Sequence, residues 1–181
     1  MNRPLGLAPF AGESRLDCGL VAAGGVVAFA AGYLATALLI GGLGVLDHGG
    51  DRTARRLAGA GGSVLCWSYF ALAFTRARGG PVLNAVVYPV ATAVLAPFAL
   101  RWALFGPDWA GLRDRVGFFL FRPDLLLDAA ALLVPGALTF LSLLSAWGAT
   151  LSDDEIDAWQ REHLREEFYD AFVEASDLAG E

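Results

Sequence analysis

Apolar positions in this chain fall in long runs, and the charged positions gather between them. From Cys18 to Leu46 no charged residue occurs, a stretch of 29 positions. About 20 helical residues cross a hydrocarbon core ~30 Å thick, so this stretch predicts a transmembrane helix even if tilted. A secretory signal is the rival reading, but its apolar region runs to only about 7 to 15 residues behind a basic leader. Here the approach, Glu13, Arg15 and Asp17, is mixed in sign.

Three further runs repeat the pattern. The second, residues 57–75, is fenced by Arg55 and Arg56 before it and by Arg76 and Arg78 after it. Gly79, Gly80 and Pro81 then allow only a tight return, so the third span, 81–105, forms a hairpin with the second. The fourth, 125–148, is entered through Arg122, Pro123 and Asp124, with proline suited to a first helical turn. The fold class predicted is all-α: a polytopic membrane domain over residues 18–150, preceded by a polar segment, 1–17.

Two more helices are predicted outside the bilayer. Trp109, Leu112, Val116 and Phe119 recur at helical spacing among Arg113, Asp114 and Arg115, which predicts a short interfacial helix over 109–121 with aromatic anchors. Ser152 and Glu155 make a capping box, with Leu151 and Ile156 placed as its hydrophobic staple. An acidic helix, 151–181, is expected to start there and run to about Ser176. Ile156, Trp159, Leu164, Phe168 and Phe172 give it one apolar face for docking.

Charge divides the chain further. Residues 1–150 hold 11 Arg against 8 acids, whereas residues 151–181 hold 2 Arg against 11 acids. With 56% hydrophobic residues and a mean hydropathy of +0.51, the chain is a mildly basic membrane body with an acidic tail. All 13 basic residues are Arg. This composition, in a chain rich in Ala, Gly and Asp, resembles that of small multi-pass membrane proteins of halophilic archaea. The likeness covers the whole chain but rests on no motif, so it implies a salt-rich setting and carries no site residues.

Four crossings put both termini on the side of the Gly79 turn. That side holds six arginines and the other seven, a balance that does not orient the chain by the positive-inside rule. Cys18 and Cys66 lie roughly 15 Å apart in depth if the first two helices are antiparallel, too far for a disulfide.

The polar residues within the spans are the candidate site. Asn84, Tyr88 and Thr92 recur every four residues on the third helix, which Pro89 and Pro97 kink. Asp128, Thr139 and Ser142 lie on the fourth, and an ionisable residue in a span is a functional hypothesis by default. These six either line a polar path or bond neighbouring helices. For Asp128 the structural reading is an ion pair with Arg101 on the same membrane side. Gly24, Ala28, Gly32 and Thr36 make a small-residue stripe that suits either a dimer seam or packing within one chain.

No catalytic, cofactor or metal site is expected. Asp47, His48 and Asp51 are close in sequence but lack the further convergent ligands of a metal site. His163 in REHLREE lacks the second histidine of a zinc-protease helix, and no phosphate loop or nucleophile motif occurs. Nucleic-acid binding is not expected from so little positive charge outside the membrane flanks. The partners expected are the bilayer and a second copy or another membrane protein. The function expected is that of a non-enzymatic structural, accessory or regulatory subunit; the alternative is a small transporter or channel component using the third and fourth helices.

Overall fold

The computed structural model describes residues 7–109 and 123–170. Among these every regular element is helical, and four helices are long and apolar enough to cross a membrane. They are α1 (Arg15–Ile40), α2 (Arg52–Thr75), α3 (Tyr88–Phe105) with a π-helical turn before it (Leu83–Val87), and α4 (Pro123–Gly148). Two shorter helices follow, α5 (Asp153–His163) and α6 (Glu166–Tyr169). The segment expected to form the interfacial helix lies, after Trp109, outside the described residues.

Helix ends follow local chemistry. Ser14 caps α1 in a capping box with Asp17, and Asp51 caps α2 by accepting from the amides of Thr53 and Ala54; each cap satisfies donors that have no intrahelical acceptor. The apolar run 18–46 is longer than the helix it forms. After Ile40 the chain breaks at Gly41 and Gly42, the latter at φ +81°, and closes with a 3-10 turn, Leu43–Leu46. Hydropathy marks membrane solubility, but Gly42 adopts a left-handed backbone that ends the helix. Conversely, α2 starts five residues before its apolar run, so Arg52, Arg55 and Arg56 ride on the helix.

The π-turn has an identifiable cause. A proline ring clashes with the carbonyl four residues back and supplies no amide donor. For Pro89 that carbonyl belongs to Ala85, inside Leu83–Val87, where the wider turn relieves the clash. Pro97 and Pro135 lie inside α3 and α4.

Helix α2 is the centre of the bundle, packed on α1 along one side and on α4 along another, while α3 touches α1 and α2 more than α4. Missing side chains set these distances. A Cβ on Gly32 would stand 2.5 Å from Gly61 O, one on Gly25 would enter the Phe70 ring, and one on Gly136 would enter Trp67. The small-residue stripe of α1 is therefore occupied within the chain: Gly24 faces Tyr69, and Gly32 and Thr36 face Gly61. The core between these helices holds Phe29, Tyr33, Cys66, Trp67, Phe70 and Phe140. Outward faces carry exposed Leu20, Leu39, Leu57, Leu72, Leu95, Leu127 and Leu141, apolar surface that water would not tolerate at this extent.

A second cluster closes the end bearing the Gly79 turn. Trp159 of α5 lies against Phe10, Phe74 and Trp147 with ring centroids 5.8, 5.6 and 5.3 Å apart, and Phe74 meets Phe140 of the bundle at 6.2 Å. The amino-terminal segment, polar by composition, thus contributes a fully buried Phe10. Its backbone is tied down as well, Phe10 N donating to Gly79 O at 2.9 Å and Ala11 N to His163 O at 2.8 Å.

The acidic helix is shorter than its apolar spacing predicts. At Leu164 the backbone turns extended (φ −83°, ψ 147°), and the side chain is buried with Phe10 and Ala77. Burying Leu164 while its neighbour's carbonyl receives Ala11 N requires leaving the helix there. Arg165 Nε then donates to Pro9 O at 3.1 Å. The expected continuation to Ser176 passes beyond residue 170 and so beyond the described residues.

Candidate functional site

The third-helix stripe faces inward. Asn84 is fully buried and its Nδ2 donates to Arg78 O at 2.6 Å, holding the α2–α3 return. Gly79 in that return has φ +81°, and a Cβ on it would stand 2.7 Å from Asn84 Oδ1, so the close fit demands glycine. Tyr88 lies beside Cys18 and packs on Phe70; Thr92 lies beside Cys66. On α4, Thr139 Oγ1 donates within its own helix to Pro135 O at 2.8 Å, and Ser142 is exposed on the outer face. Of these residues and Asp128, only Asp128 lines the groove described next. Both cysteines are free thiols.

At the opposite end of the bundle, α3 and α4 line a groove of about 730 Å³. Four arginines line it: Arg52, Arg55 and Arg56 from the start of α2, and Arg101 from the end of α3. Asp128 of α4 faces them.

Asp128 pairs with Arg56, not with the Arg101 that topology suggested: Arg56 Nε donates to Asp128 Oδ1 at 2.6 Å. The apolar run that predicts the second span begins only at Leu57, which left Arg56 before the helix. Because α2 begins at Arg52, Arg56 stands on the face packed against α4. Both partners are about one quarter exposed.

Arg101 is instead part of a latch. It is buried, its Nε donates to Leu46 O at 2.8 Å and its Nη2 to His48 Nδ1 at 2.8 Å. A guanidinium has no acceptor, so His48 Nδ1 must accept. His48 Nε2 then carries the proton and donates to Gly106 O at 3.2 Å. Arg55 holds the same loop from the other side, with Nη1 within 2.8 Å of Asp47 O and Gly50 O. Asp47, His48 and Asp51 are thus engaged in loop and cap bonds, Asp47 Oδ1 accepting from His48 N and Asp51 capping α2. Among the described residues no group of three or more metal-ligand side chains comes together.

Sequence reasoning treated Arg55 as a membrane flank and Arg101 as a partner for Asp128. What it missed is that a loop ordered by His48 folds back onto α3, and a single histidine between two aspartates is no signal for that.

At the other end, α5 presents its acids outward. Asp153, Asp154, Glu155, Asp157 and Glu162 are exposed, while Trp159 and Leu164 face the aromatic cluster. Ser152 N donates to Glu155 Oε2 at 2.8 Å, and Glu155 N to Ser152 Oγ at 3.3 Å. These bonds to Ser152, backbone first and then hydroxyl, hold the Glu155 carboxyl below the usual glutamate value.

The chain matches no known protein family, no curated protein and no solved structure.

Proposed function

We propose that the chain is a four-span integral membrane protein that performs no catalysis and serves as an accessory subunit, presenting a fixed acidic helix to a basic segment of a partner. The observation that carries this reading is the docking of α5. Four ring systems, Phe10, Phe74, Trp147 and His163, surround Trp159, and aromatic contacts of this kind add about 0.5 to 1.5 kcal/mol each beyond area burial. A helix held this way offers its carboxylates without first being ordered, which lowers the cost of binding.

The supporting chemistry is consistent across the molecule. The apolar outer faces of α1 to α4 suit lipid, and the buried Asn84 and Arg101 donate to backbone carbonyls within the bundle, as a medium without water favours. Trp109, exposed and with its ring 4.8 Å from Trp102, supports an interfacial helix beginning there. The all-arginine, acid-rich composition supports a halophilic origin, in which an acidic surface aids solubility.

Two measurements test the reading. The protein should remain in the membrane pellet after alkaline carbonate washing; release would remove the membrane placement. A photo-crosslinker at Asp154 should capture one protein of defined mass in native membranes. Asn at Asp153, Asp157 and Glu162 should abolish that adduct, and an adduct that survives neutralisation, or none at all in the parent chain, would count against the subunit reading.

A further inference from the structure

Two outer faces of the bundle are uncovered and complement each other. Helices α1 and α4 both pack on α2 and make no extensive contact with each other. α4 is the least enclosed, with 11% of its apolar stretch buried against 28 to 50% in the other three. Its outward positions include Ser142 and Ser145, whose hydroxyls make no hydrogen bond among the described residues. In lipid no hydrophobic effect draws helices together, so close approach at small residues and hydrogen bonds from serine carry their association. On α1, Gly19 faces outward beside Leu16 and Leu20, which are 73% and 63% exposed. A Cβ on Gly19 would meet nothing, unlike one on Gly25 or Gly32. Glycine inside a helix is unfavourable relative to alanine, and packing within this chain does not require it at position 19. A second backbone approaching there would.

Depth and charge match as well. α1 starts, and α4 ends, at the end of the bundle closed by the aromatic cluster. At 1.5 Å per residue, Leu20 lies about 7.5 Å inside Arg15 and Ser142 about 9 Å inside Gly148, so the outward residues of both faces share one layer. Beyond that layer stand Arg15, the first residue of α1, and the acidic α5, which begins five residues after α4 ends. Among the described residues the exposed Arg15 guanidinium has no ion-pair or hydrogen-bond partner, and neither have the exposed carboxylates of Asp153 and Asp157. Charge decides which faces meet. Two α4 faces together would crowd two acidic helices, and two α1 faces would oppose two arginines, whereas α4 against α1 brings opposite signs together.

We infer that copies of this chain associate head to tail in the bilayer, the outer face of α4 in one copy seated on the outer face of α1 in the next, with α5 beside that copy's Arg15. Such a contact joins two different surfaces, so it repeats from copy to copy and forms a ring where the rotation closes. The inference rests on the reading of α5 as an interaction element and names a second copy as its basic partner.

The test uses full chains in lipid vesicles, freed of native thiols by Cys18→Ser and Cys66→Ala. Chains carrying Ser142→Cys and chains carrying Leu20→Cys, told apart by tags, are mixed and oxidised. Mixed disulfide dimers should exceed either like-with-like dimer by about fivefold or more, since only the mixed pair lies within disulfide reach. Gly19→Val in the Leu20→Cys chain should raise the protein-to-lipid ratio for half-maximal mixed dimer by about tenfold. Circular dichroism of that variant should match the parent, because nothing in the chain meets a Cβ there. Arg15→Glu in the same chain should raise the ratio about threefold, the worth of an exposed ion pair, and Asp157→Arg in the Ser142→Cys chain should bring it back. Like-with-like dimers in equal yield, unchanged association of Gly19→Val, or no rescue by Asp157→Arg would each overturn the inference. A crosslinker at Asp154 that captures only a different protein would overturn it too, yet leave the subunit reading standing; capture of nothing would remove both.

Discussion

At the scale of single residues, the glycines differ in what they permit, and the difference is measurable. A Cβ on Gly32 would meet Gly61 O at 2.5 Å, a backbone atom that can move only if two helices separate. A Cβ on Gly24 would meet the far end of the Tyr69 side chain, which can swing aside. Gly32→Ala should therefore destabilise the bundle by about 1 to 3 kcal/mol, the usual cost of overpacking a close-packed core, and Gly24→Ala by clearly less. Reversible unfolding in mixed micelles reads both. Equal costs would show that α1 and α2 do not approach as closely as Gly32 and Gly61 require. The stripe itself was legible in the sequence, because spacing by four is visible in a string of letters. Its use was not, since spacing alone does not say which residues of α2 stand opposite it; these are Gly61 and Tyr69. The same blindness applied to Asp128, whose partner depended on where α2 begins.

At the scale of elements, the capping box of α5 was written plainly into Ser152 and Glu155, because a cap is a contact between near neighbours. The break at Leu164 was not, since it answers to Phe10, more than 150 positions away in the chain. The cap also has a pH signature. Glu155 titrates below the ordinary glutamate value of 4.5 in the folded chain because its charged form accepts from Ser152. A depressed carboxyl contributes stability that is complete above the unfolded value and is lost as pH falls through the folded one. Acidification below about pH 4.5 should therefore loosen the start of α5, whereas Glu155→Gln keeps a neutral acceptor and should lack that component. Thermal melts of α5 docking, followed by tryptophan fluorescence across pH 6 to pH 3, give the comparison. The parent chain should lose more stability than Glu155→Gln, and parallel curves would mean that the carboxylate makes no difference to the cap.

At the scale of the whole molecule, the two ends of the bundle are built on opposite principles. One end is shut by rings, with Phe10, Phe74, Trp147 and Trp159 holding the amino-terminal segment, the α2–α3 return and α5 together. The other end is held by arginine, with Arg55 and Arg101 clamping the His48 loop and Arg56 joining α2 to α4. On the four-span reading proposed above, each helix crosses the bilayer once and these ends lie in different aqueous compartments. The number of helices long and apolar enough to cross a membrane followed from hydropathy, their ends from local chemistry at Gly42 and Asp51; the division into an aromatic end and a cationic end arises from tertiary contacts. Single cysteines in a chain with Cys18→Ser and Cys66→Ala test it. Arg76→Cys and Asp154→Cys, both exposed at the aromatic end, should react together with a membrane-impermeant thiol reagent from one face of sealed vesicles. Gly49→Cys, exposed in the loop at the other end, should react only from the opposite face. Labelling of Asp154→Cys and Gly49→Cys from the same face would require an even number of crossings between them, and with it a different course for the chain between α3 and α4.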